Sequence, residues 1–246
     1  MRAMILAAGQ GKRMMPLTAT TPKPLLRAGG QSLIEWQICR LRNAGIQQIV
    51  INHNYLGERI EAALGDGSQL GVSLVYSPES EHLETAGGII QALPLLSSGS
   101  SSPDSFLVAN GDVWTDYPYQ RLLERAKHFA WSAASGKQRP LAHLVLVPDA
   151  PHHPQGDFYL LPSGEVVDEL SDGVSQRLTY AGIALLRRDL FRGVTPGPGR
   201  LAPLLREVMR EGRVTGECYS GDWRDIGTPE RLAELERALR ASSVST

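Results

Sequence analysis

The first half of the chain alternates between short apolar runs and stretches with helical periodicity. Residues 4–8, 48–52, 72–76 and 106–109 are apolar runs of strand length. In the segments between them, apolar residues recur every three or four positions, as on one face of a helix. Strands that alternate with helices in this way pair in parallel, because each crossover returns the chain to the same edge of the sheet. The pattern predicts a Rossmann-like α/β fold with a mixed, mostly parallel sheet flanked by helices.

One predicted helix has well-defined ends. Ser32 and Glu35 have the spacing of a capping box, and apolar residues at positions 34, 38 and 41 share one face before Gly45. We expect Pro94 to stop a helix over residues 85–93, and Pro203 to open a helix that runs to residue 210. Further helices are predicted over residues 56–64 and 119–127, and a last one begins at Pro229 after a Thr228 cap.

Beyond residue 130 the pattern changes to short strands. They are predicted over residues 141–147, 158–161, 165–170, 179–186 and 214–219, with a hairpin turn at 162–164. We expect one domain over residues 1–246, with a nucleotide-binding half (1–130), a second half that covers another substrate (131–220) and a final loop and helix (221–246). The Ser-rich stretch 97–105 is predicted to be flexible.

Composition narrows the class of partner. The formal net charge is -1, so no overall field attracts nucleic acid or anionic lipid, and a small-molecule substrate is expected instead. The apolar N-terminal run is too short for a signal peptide or a membrane span, which predicts a cytoplasmic protein. Only Cys39 and Cys218 occur, and their spacing indicates neither a disulfide framework nor a zinc site. The number of subunits is left open.

A glycine-rich loop follows the first predicted strand. Gly9 and Gly11 let successive backbone N–H groups point at an anion, and Lys12, Arg13 and Lys23 add positive charge. Two glycines after a strand can also form an ordinary turn. Met14 replaces the third glycine of the dinucleotide fingerprint, no helix is expected to open immediately, and the Gly-Lys-Ser/Thr of a Walker loop is missing. The loop therefore favours a nucleoside triphosphate over a nicotinamide or flavin cofactor.

Two aspartates stand where an α/β sheet binds ligands. Asp112 follows Asn110 and Gly111 at the carboxyl end of an apolar strand, and Asp225 precedes the Ile-Gly-Thr that leads into the last helix. Mg²⁺ commonly takes one or two protein carboxylates and completes its coordination with water and phosphate oxygens. Asp222 is a weaker candidate that could instead cap a turn.

The run Leu-Ala-Ala-Gly-x-Gly-x-Arg at residues 6–13, followed by Thr-Pro-Lys-Pro-Leu at 21–25, resembles the signature of the sugar-1-phosphate nucleotidyltransferases. The resemblance covers essentially the whole chain apart from the Ser-rich stretch and residues 131–139. It implies the nucleotide-diphospho-sugar transferase fold, a smaller strand-rich sugar-binding lid, and Mg²⁺ held by Asp112 and Asp225. It also implies catalytic roles for Arg13, Lys23 and Asp112.

The same resemblance implies the nucleotide contacts. Glu79 takes the position of a Gln that reads the base in relatives, and Glu84 replaces a glycine there while its backbone N–H remains available to a carbonyl oxygen of the base. A carboxylate that accepts from a pyrimidine N3–H favours uracil or thymine over cytosine. The expected nucleotide-binding residues are Gly9, Gly11, Lys12, Arg13, Lys23, Glu79, Glu84, Thr85 and Asn110.

The residues expected to bind the sugar match the family pattern less completely than the nucleotide-binding residues do. Relatives hold the sugar phosphate with a lysine that is missing after Asp168-Glu169, and Arg200 is a candidate replacement. His152 and His153 are expected to be exposed loop residues with no catalytic role. The expected sugar-binding residues are Gly156, Asp157, Glu169, Thr179 and Gly182.

Motifs such as Asn-Gly-Asp-Val-Trp-Thr-Asp at residues 110–116 and Leu-Ala-Pro-Leu-Leu at 201–205 are more particular than the family signature. They resemble members that use UTP and N-acetylmuramic acid (MurNAc) 1-phosphate in cell-wall recycling. Uridylyl, thymidylyl or guanylyl transfer to glucose, mannose or another sugar 1-phosphate is the nearest alternative. A catalytically silent nucleotide-binding module and, last, a nicotinamide oxidoreductase are the alternatives of another class.

Overall fold

The computed structural model describes residues 1–96, 105–129, 139–148, 150, 153–170 and 176–244. Residues 97–104 of the predicted flexible stretch 97–105, most of the segment 131–139, and His152 lie outside the described residues, while Ser105 begins β6. The described strands are β1 (Ala3–Leu6), β2 (Arg27–Ala28), β3 (Gln31–Ser32), β4 (Gln48–His53), β5 (Ser73–Pro78), β6 (Ser105–Asn110), β7 (Val113–Thr115), β8 (Ala142–Val147), β9 (Tyr159–Leu160), β10 (Val166–Val167), β11 (Thr179–Arg187), β12 (Val214–Cys218) and β13 (Trp223–Asp225). The described α-helices are α1 (Leu33–Asn43), α2 (Gly57–Leu64), α3 (Glu84–Leu96), α4 (Gln120–Phe129), α5 (Leu201–Met209) and α6 (Pro229–Val244).

Seven strands form the central sheet in the order β12-β8-β11-β6-β1-β4-β5. Every neighbouring pair is parallel except the two that involve β11, which runs antiparallel to both β6 and β8. This confirms the predicted mixed, mostly parallel α/β fold. The second half of the chain contributes β8, β11 and β12 to the sheet, while β9 and β10 form a separate hairpin. The two halves of the chain are therefore joined by one continuous sheet.

The sheet is covered on both faces. On one face, α1, α2 and α4 pack through residues such as Ile38, Ile60 and Leu122. On the other face, α3 and α5 pack through Ile89 and Leu205. A smaller apolar cluster joins the N-terminal loop to α6, and it contains Met14, Leu26, Trp114, Ile226 and Leu235.

The capping box of α1 is confirmed. The backbone N–H of Glu35 donates to the Ser32 hydroxyl, and the Glu35 carboxylate accepts from the Ser32 backbone N–H at 2.6 Å. Thr228 likewise precedes Pro229, the first residue of α6, and its hydroxyl accepts from the Arg231 backbone N–H at 3.5 Å.

Three expectations about helix ends are wrong. Helix α3 passes through Pro94 and ends at Leu96, which is buried in the core, so packing outweighs the single hydrogen bond that proline removes near the helix end. Helix α5 begins at Leu201, and Pro203 lies inside its first turn, where backbone N–H groups lack intrahelical partners in any case. A short 3₁₀ helix over Lys12–Met14 opens directly after Gly11.

Candidate active site

The glycine loop lies at the carboxyl ends of β1, β4 and β6, where open α/β sheets bind ligands. Gly11 has a φ of 63°, and a Cβ there would stand 2.9 Å from Thr18 Cγ2 and 3.2 Å from Lys23 Cβ. The Thr18 hydroxyl in turn donates to the Gly11 carbonyl at 2.9 Å. Gly11 is therefore required for the loop to turn this tightly against the segment that carries Lys23.

A cavity of about 190 Å³ lies beside this loop. Of the predicted nucleotide-binding residues, those that line it are Gly9, Lys23, Glu84, Thr85 and Asn110, and Asp112 lines it with them. Asn52 and His82 line it as well, and the sequence analysis missed both. Asn52 ends an apolar parallel strand with a polar side chain, which is the signal that could have identified it.

A second cavity, of about 350 Å³, lies on the other side of Asn110. It brings together Arg13 and Asp225 with the predicted sugar-binding residues Asp157, Thr179 and Gly182. His153, Tyr180 and Trp223 line it too, without having been predicted as site residues. Since Asn110 lines both cavities, two substrates bound in them would meet beside Asp112.

The predicted site residues that line neither cavity are Gly11, Lys12, Glu79, Gly156 and Glu169. Glu169 lies with Arg206 and Arg210 at a separate pocket behind the β9–β10 hairpin. Glu79 is buried and bonds to Asn52, with the Asn52 amide donating to Glu79 Oε1 at 2.6 Å. The other side of the Asn52 amide accepts from the Ala7 backbone N–H at 3.1 Å. Glu79 therefore supports the wall of the first cavity from behind.

Pairing of β7 with β13 brings the two predicted metal ligands together. Asp225 lies opposite Val113 in this ladder, and the Ile226 backbone N–H donates to the Asp112 carbonyl at 3.0 Å. The Lys23 ammonium donates to Asp112 Oδ2 at 2.5 Å, and Arg231 donates to Asp225 Oδ2 at 2.6 Å. Both carboxylates are partly exposed, at 33% and 19% of the side chain.

Arg13 lies close to one of these carboxylates, that of Asp225, beside Gly227. A Cβ at Gly227 would stand 2.8 Å from Asp225 Oδ2 and 3.3 Å from Arg13 Nη1, so the absence of a side chain leaves room for both. Asp222, the weaker candidate, accepts from Arg224 at 2.8 and 2.9 Å and is thus paired within its own loop. Among the described residues, no group of three or more His, Cys, Asp and Glu side chains is arranged to hold a metal. Two neighbouring carboxylates nevertheless fit Mg²⁺ bound together with phosphate.

The turn that leads into α3 has an unusual backbone. Glu84 has a φ of 58°, a left-handed conformation that favours glycine. Two N–H groups in the first turn of α3 already have partners, since Ala86 and Gly87 donate to the Gly199 carbonyl at 2.8 and 3.3 Å. Gly87 is needed for segment 197–199 to approach α3 this closely, because a Cβ at Gly87 would stand 2.3 Å from the Gly197 carbonyl oxygen.

Buried residues hold the segment that separates the cavities. The Gln37 amide, on α1, donates to the Val113 carbonyl at 2.7 Å, and its oxygen accepts from the Tyr119 hydroxyl at 2.6 Å.

In the second cavity, burial and then the nearby Asp157 carboxylate raise the pKa of Tyr180, so its hydroxyl stays protonated near neutral pH. Asp157 also contacts His153 Nε2 at 3.2 Å and accepts from the Tyr180 backbone N–H at 2.8 Å.

A glycine loop with adjacent cations, a pair of carboxylates and two cavities that share Asn110 at the carboxyl edge of an open α/β sheet define a nucleotide-binding α/β protein with room for a second substrate. Residues 2–140 match the family model described as nucleotidyl transferase, and the chain belongs to this family.

Several relatives match nearly the whole chain. It is 49% identical over 238 residues to the N-acetylmuramate alpha-1-phosphate uridylyltransferase of Neisseria meningitidis serogroup B, covering 96% of this chain and 97% of that protein. A protein of the same name from Caulobacter vibrioides is 32% identical over 244 residues, 96% of each chain. The mannose-1-phosphate guanylyltransferase catalytic subunit beta of Drosophila pseudoobscura pseudoobscura is 39% identical over 237 residues, 93% of this chain and 60% of that protein.

Solved structures confirm the fold. A putative glucose-1-phosphate thymidylyltransferase from Bacillus anthracis superposes with a TM-score of 0.79 at 22% identity, covering 97% of this chain and 95% of that one.

Within the described part of the chain, none of the helices combines the length and the apolar character needed to cross a membrane.

Proposed function

We propose that the protein transfers UMP from UTP to MurNAc α-1-phosphate and releases pyrophosphate. The observation that carries this proposal is the 49% identity, over nearly the full length of both chains, to a uridylyltransferase named for that sugar phosphate. The proposal is also supported by the two cavities that share Asn110, in which UTP and the acceptor would bind side by side. The reaction belongs in the cytoplasm, where UTP is found, and serves cell-wall recycling.

The nucleotide side supplies positive charge and backbone donors. The N–H groups of the loop from Gly9 to Arg13 bind the triphosphate, and Lys12 adds charge at its edge. Arg13 stabilises the departing pyrophosphate. Lys23, which lines the first cavity beside Asp112, offsets negative charge at the α-phosphate.

Asp112 and Asp225 would hold Mg²⁺. Carboxylate oxygens are the ligands this ion prefers, and β7–β13 pairing makes the two residues neighbours. When bound, the ion neutralises charge on the phosphate oxygens. In the structure, Lys23 and Arg231 neutralise these carboxylates.

The chemistry requires no general base from the protein. A phosphomonoester has a second pKa of about 6, so its oxygens are already largely ionised near pH 7. One of these oxygens forms a bond to the α-phosphorus of UTP as the bond from that phosphorus to the β-bridging oxygen breaks, and pyrophosphate carries away the negative charge. The side chains therefore act by positioning the reactants in line and by stabilising charge.

A second candidate is guanylyl or thymidylyl transfer to mannose or glucose 1-phosphate. It is supported by the 39% identity to a mannose-1-phosphate guanylyltransferase subunit, although this chain spans only 60% of that protein. A silent nucleotide-binding module is disfavoured because Arg13, Lys23, Asp112 and Asp225 all line the two cavities that share Asn110.

The test is a matrix of pyrophosphate-release assays in Mg²⁺. It combines UTP, dTTP, CTP, GTP and ATP with the α-1-phosphates of MurNAc, N-acetylglucosamine (GlcNAc), glucose and mannose. We expect the highest kcat/KM for UTP with MurNAc 1-phosphate. A higher value for another pair would replace the substrates and keep the reaction class. Nucleotide binding without turnover of any pair would favour the silent module.

A further inference from the structure

One histidine of the second cavity has no role in the chemistry described so far. His153 lines this cavity together with Asp157 and Tyr180, and 42% of its side chain is exposed. From the sequence it was expected to be an exposed loop residue without a catalytic role. Two turns fix its backbone, since its N–H donates to the Ala150 carbonyl at 2.8 Å and its carbonyl accepts from the Gly156 N–H at 2.9 Å. The residue is therefore held at the wall of the cavity.

Asp157 orients the His153 ring from one side. Its carboxylate oxygen Oδ1 lies 3.2 Å from His153 Nε2, and Oδ2 accepts from the Tyr180 backbone N–H at 2.8 Å. The backbone of Asp157 is fixed as well, because its N–H donates to the Leu178 carbonyl at 2.9 Å. A carboxylate keeps the proton on the ring nitrogen that it contacts. Since no described residue forms a hydrogen bond with Nδ1, this nitrogen is left for a ligand.

The pair of His153 and Asp157 lies a short way along β11 from the point that both cavities share. Asp157 bonds to Tyr180, whereas Gly182, two positions further along β11, lies against Asn110. Two strand positions span at most about 7 Å. An acceptor whose phosphate lies beside Asn110 can therefore place its sugar ring along β11 and a substituent of that ring at His153.

The basic groups of the second cavity lie beside different carboxylates. Among the described residues, Arg13 and His153 are the basic ones that line it. A Cβ at Gly227 would stand 3.3 Å from Arg13 Nη1 and 2.8 Å from Asp225 Oδ2, so Arg13 lies beside a carboxylate proposed to bind Mg²⁺. His153 pairs instead with Asp157. Arg13 is thus placed for phosphate oxygens, and His153 is placed for a different group of the acceptor.

The proposed acceptor carries a second anionic group besides its phosphate. MurNAc differs from GlcNAc by a lactyl ether on the ring, and the lactyl carboxylate is ionised near pH 7. An imidazole bound between two carboxylates donates from both nitrogens, as only its protonated form can. Hydrogen bonds from a charged donor to a carboxylate are about twice as strong as those between neutral groups. A neutral sugar offers no such partner.

We propose that His153 binds the lactyl carboxylate of the acceptor through Nδ1 and so selects an acidic sugar over its neutral counterpart. Asp157, which was predicted to bind the sugar, is then a positioning residue that acts through His153 by holding Nε2. The inference rests on the proposed function and deepens it, because it assigns the choice between acceptors to one side chain.

The experiment compares MurNAc 1-phosphate with GlcNAc 1-phosphate, which lacks only the lactyl group. For the wild-type protein and each variant, kcat/KM is measured for both acceptors with UTP. Where GlcNAc 1-phosphate is not turned over, its inhibition constant against MurNAc 1-phosphate reports its affinity. Melting temperatures show whether each variant is folded.

The variants separate the contact from its support. They are His153→Gln, His153→Arg, Asp157→Asn, and the double variant that combines His153→Gln with Asp157→Asn. Arg13→Lys tests the other basic group of the cavity. The matched control is Gln155→Ala, because Gln155 is exposed in the same turn as His153 and lines neither cavity.

We expect His153→Gln to lower the preference for MurNAc 1-phosphate over GlcNAc 1-phosphate at least about tenfold, since a hydrogen bond between charged groups is lost. His153→Arg should restore part of the preference by returning a positive charge. Asp157→Asn should lower the preference by itself but add almost nothing in the double variant, because it acts through His153. Gln155→Ala should keep the wild-type preference, and Arg13→Lys should slow both acceptors alike.

An unchanged preference in His153→Gln would overturn the proposal, and so would an equal loss for both acceptors. A preference that falls in Arg13→Lys and not in His153→Gln would move the carboxylate contact to Arg13 and overturn it too. Additive losses in the double variant would overturn the role given to Asp157. If the wild-type protein prefers a neutral sugar instead, the proposed function itself is wrong.

Discussion

Lys23 and Asp112 form the closest charge pair of the site, and both line the first cavity. We predict that Lys23→Ala lowers kcat/KM by about 10²–10³, the usual effect of removing one group that stabilises transition-state charge. Lys127→Ala is the control, because Lys127 is 68% exposed and contacts only Glu124 among the described residues. Steady-state kinetics with UTP measure the effect. An unchanged kcat/KM for Lys23→Ala would exclude its catalytic role.

Glu84 allows a test that separates stability from function. Replacing it with glycine removes a side chain from a φ of 58°, so we predict that Glu84→Gly raises the free energy of unfolding by about 1 kcal/mol. The exposed pair with Arg200 contributes little to stability and does not offset this gain. Urea unfolding measures the change, with Glu81→Gly in the same loop as the control. A less stable Glu84→Gly protein would contradict the strain argument.

Single residues of the site could be predicted where their chemistry is carried by a local motif. Lys23, Asp112 and Asp225 were identified from the sequence, and the structure brings all three to the cavities. Gln37 could not be identified, because its bond to Val113 exists only once α1 has docked against β7. Glu79 was expected at the base, yet its carboxylate bonds to Asn52, a partner 27 positions away that no local pattern indicates.

Among the elements, β11 shapes the second cavity through one glycine. The register of β11 against β8 shifts between Tyr180 and Ala184, and Gly182 in this bulge has a φ of 72°. A Cβ there would stand 2.6 Å from Asn110 Nδ2. Gly182 therefore lets β11 approach the residue that both cavities share.

We predict that Gly182→Ala destabilises the protein by about 1–3 kcal/mol and lowers kcat/KM, because both the backbone and Asn110 must shift. Gly164→Ala is the matched control, since Gly164 has a φ of 81° but nothing within 4 Å of the added Cβ. Thermal unfolding and kinetics of the two variants isolate the contact with Asn110. Equal losses in both variants would mean that the contact has no effect.

Elements were predictable where caps and periodicity are local. The α1 capping box and the α6 cap are present as predicted. The path of α3 through Pro94 was not predictable, because the burial of Leu96 in the core depends on the whole sheet. The antiparallel direction of β11 depends on pairing with β6, whose residues lie more than 70 positions earlier, and no local signal encodes it.

At the scale of the whole molecule, a buried histidine makes stability depend on pH. The His143 side chain, on β8, is fully buried, and its Nδ1 lies 2.8 Å from the hydroxyl of Thr215 on the neighbouring strand β12. Burial lowers the pKa of His143 below 6.5, although Glu217, 3.7 Å away, acts in the opposite direction. The unfolded chain therefore binds a proton on His143 more readily than the folded one.

We predict that the free energy of unfolding falls as pH drops below about 6.5, with a slope of at most about 1.4 kcal/mol per pH unit from this one group. Glu217 has a lowered pKa and loses its contribution only at more acidic pH, so it does not account for this window. Urea unfolding at pH 7.5, 6.5 and 5.5 measures the trend. His143→Gln should flatten it, and an identical trend in the variant would assign it to another group.

The order of strands was beyond prediction from the sequence, although the alternation of strand and helix gave the fold class. Strands β8 and β12 are parallel neighbours separated by about 70 residues, and β12 forms one edge of the sheet. The pairing of β8 with β12 depends on how a whole face of the sheet packs against its helices, and α3 and α5 together cover that face. One sheet therefore carries both the glycine loop and the residues that line the second cavity.

The most direct test of the account is to identify the product formed from UTP and MurNAc α-1-phosphate in Mg²⁺ by mass spectrometry. The account predicts UDP-MurNAc and an equal amount of pyrophosphate with the wild-type protein, and a loss of both with Asp112→Asn and Asp225→Asn. UTP left intact with this acceptor, while another nucleotide and sugar 1-phosphate are converted, would contradict the central claim.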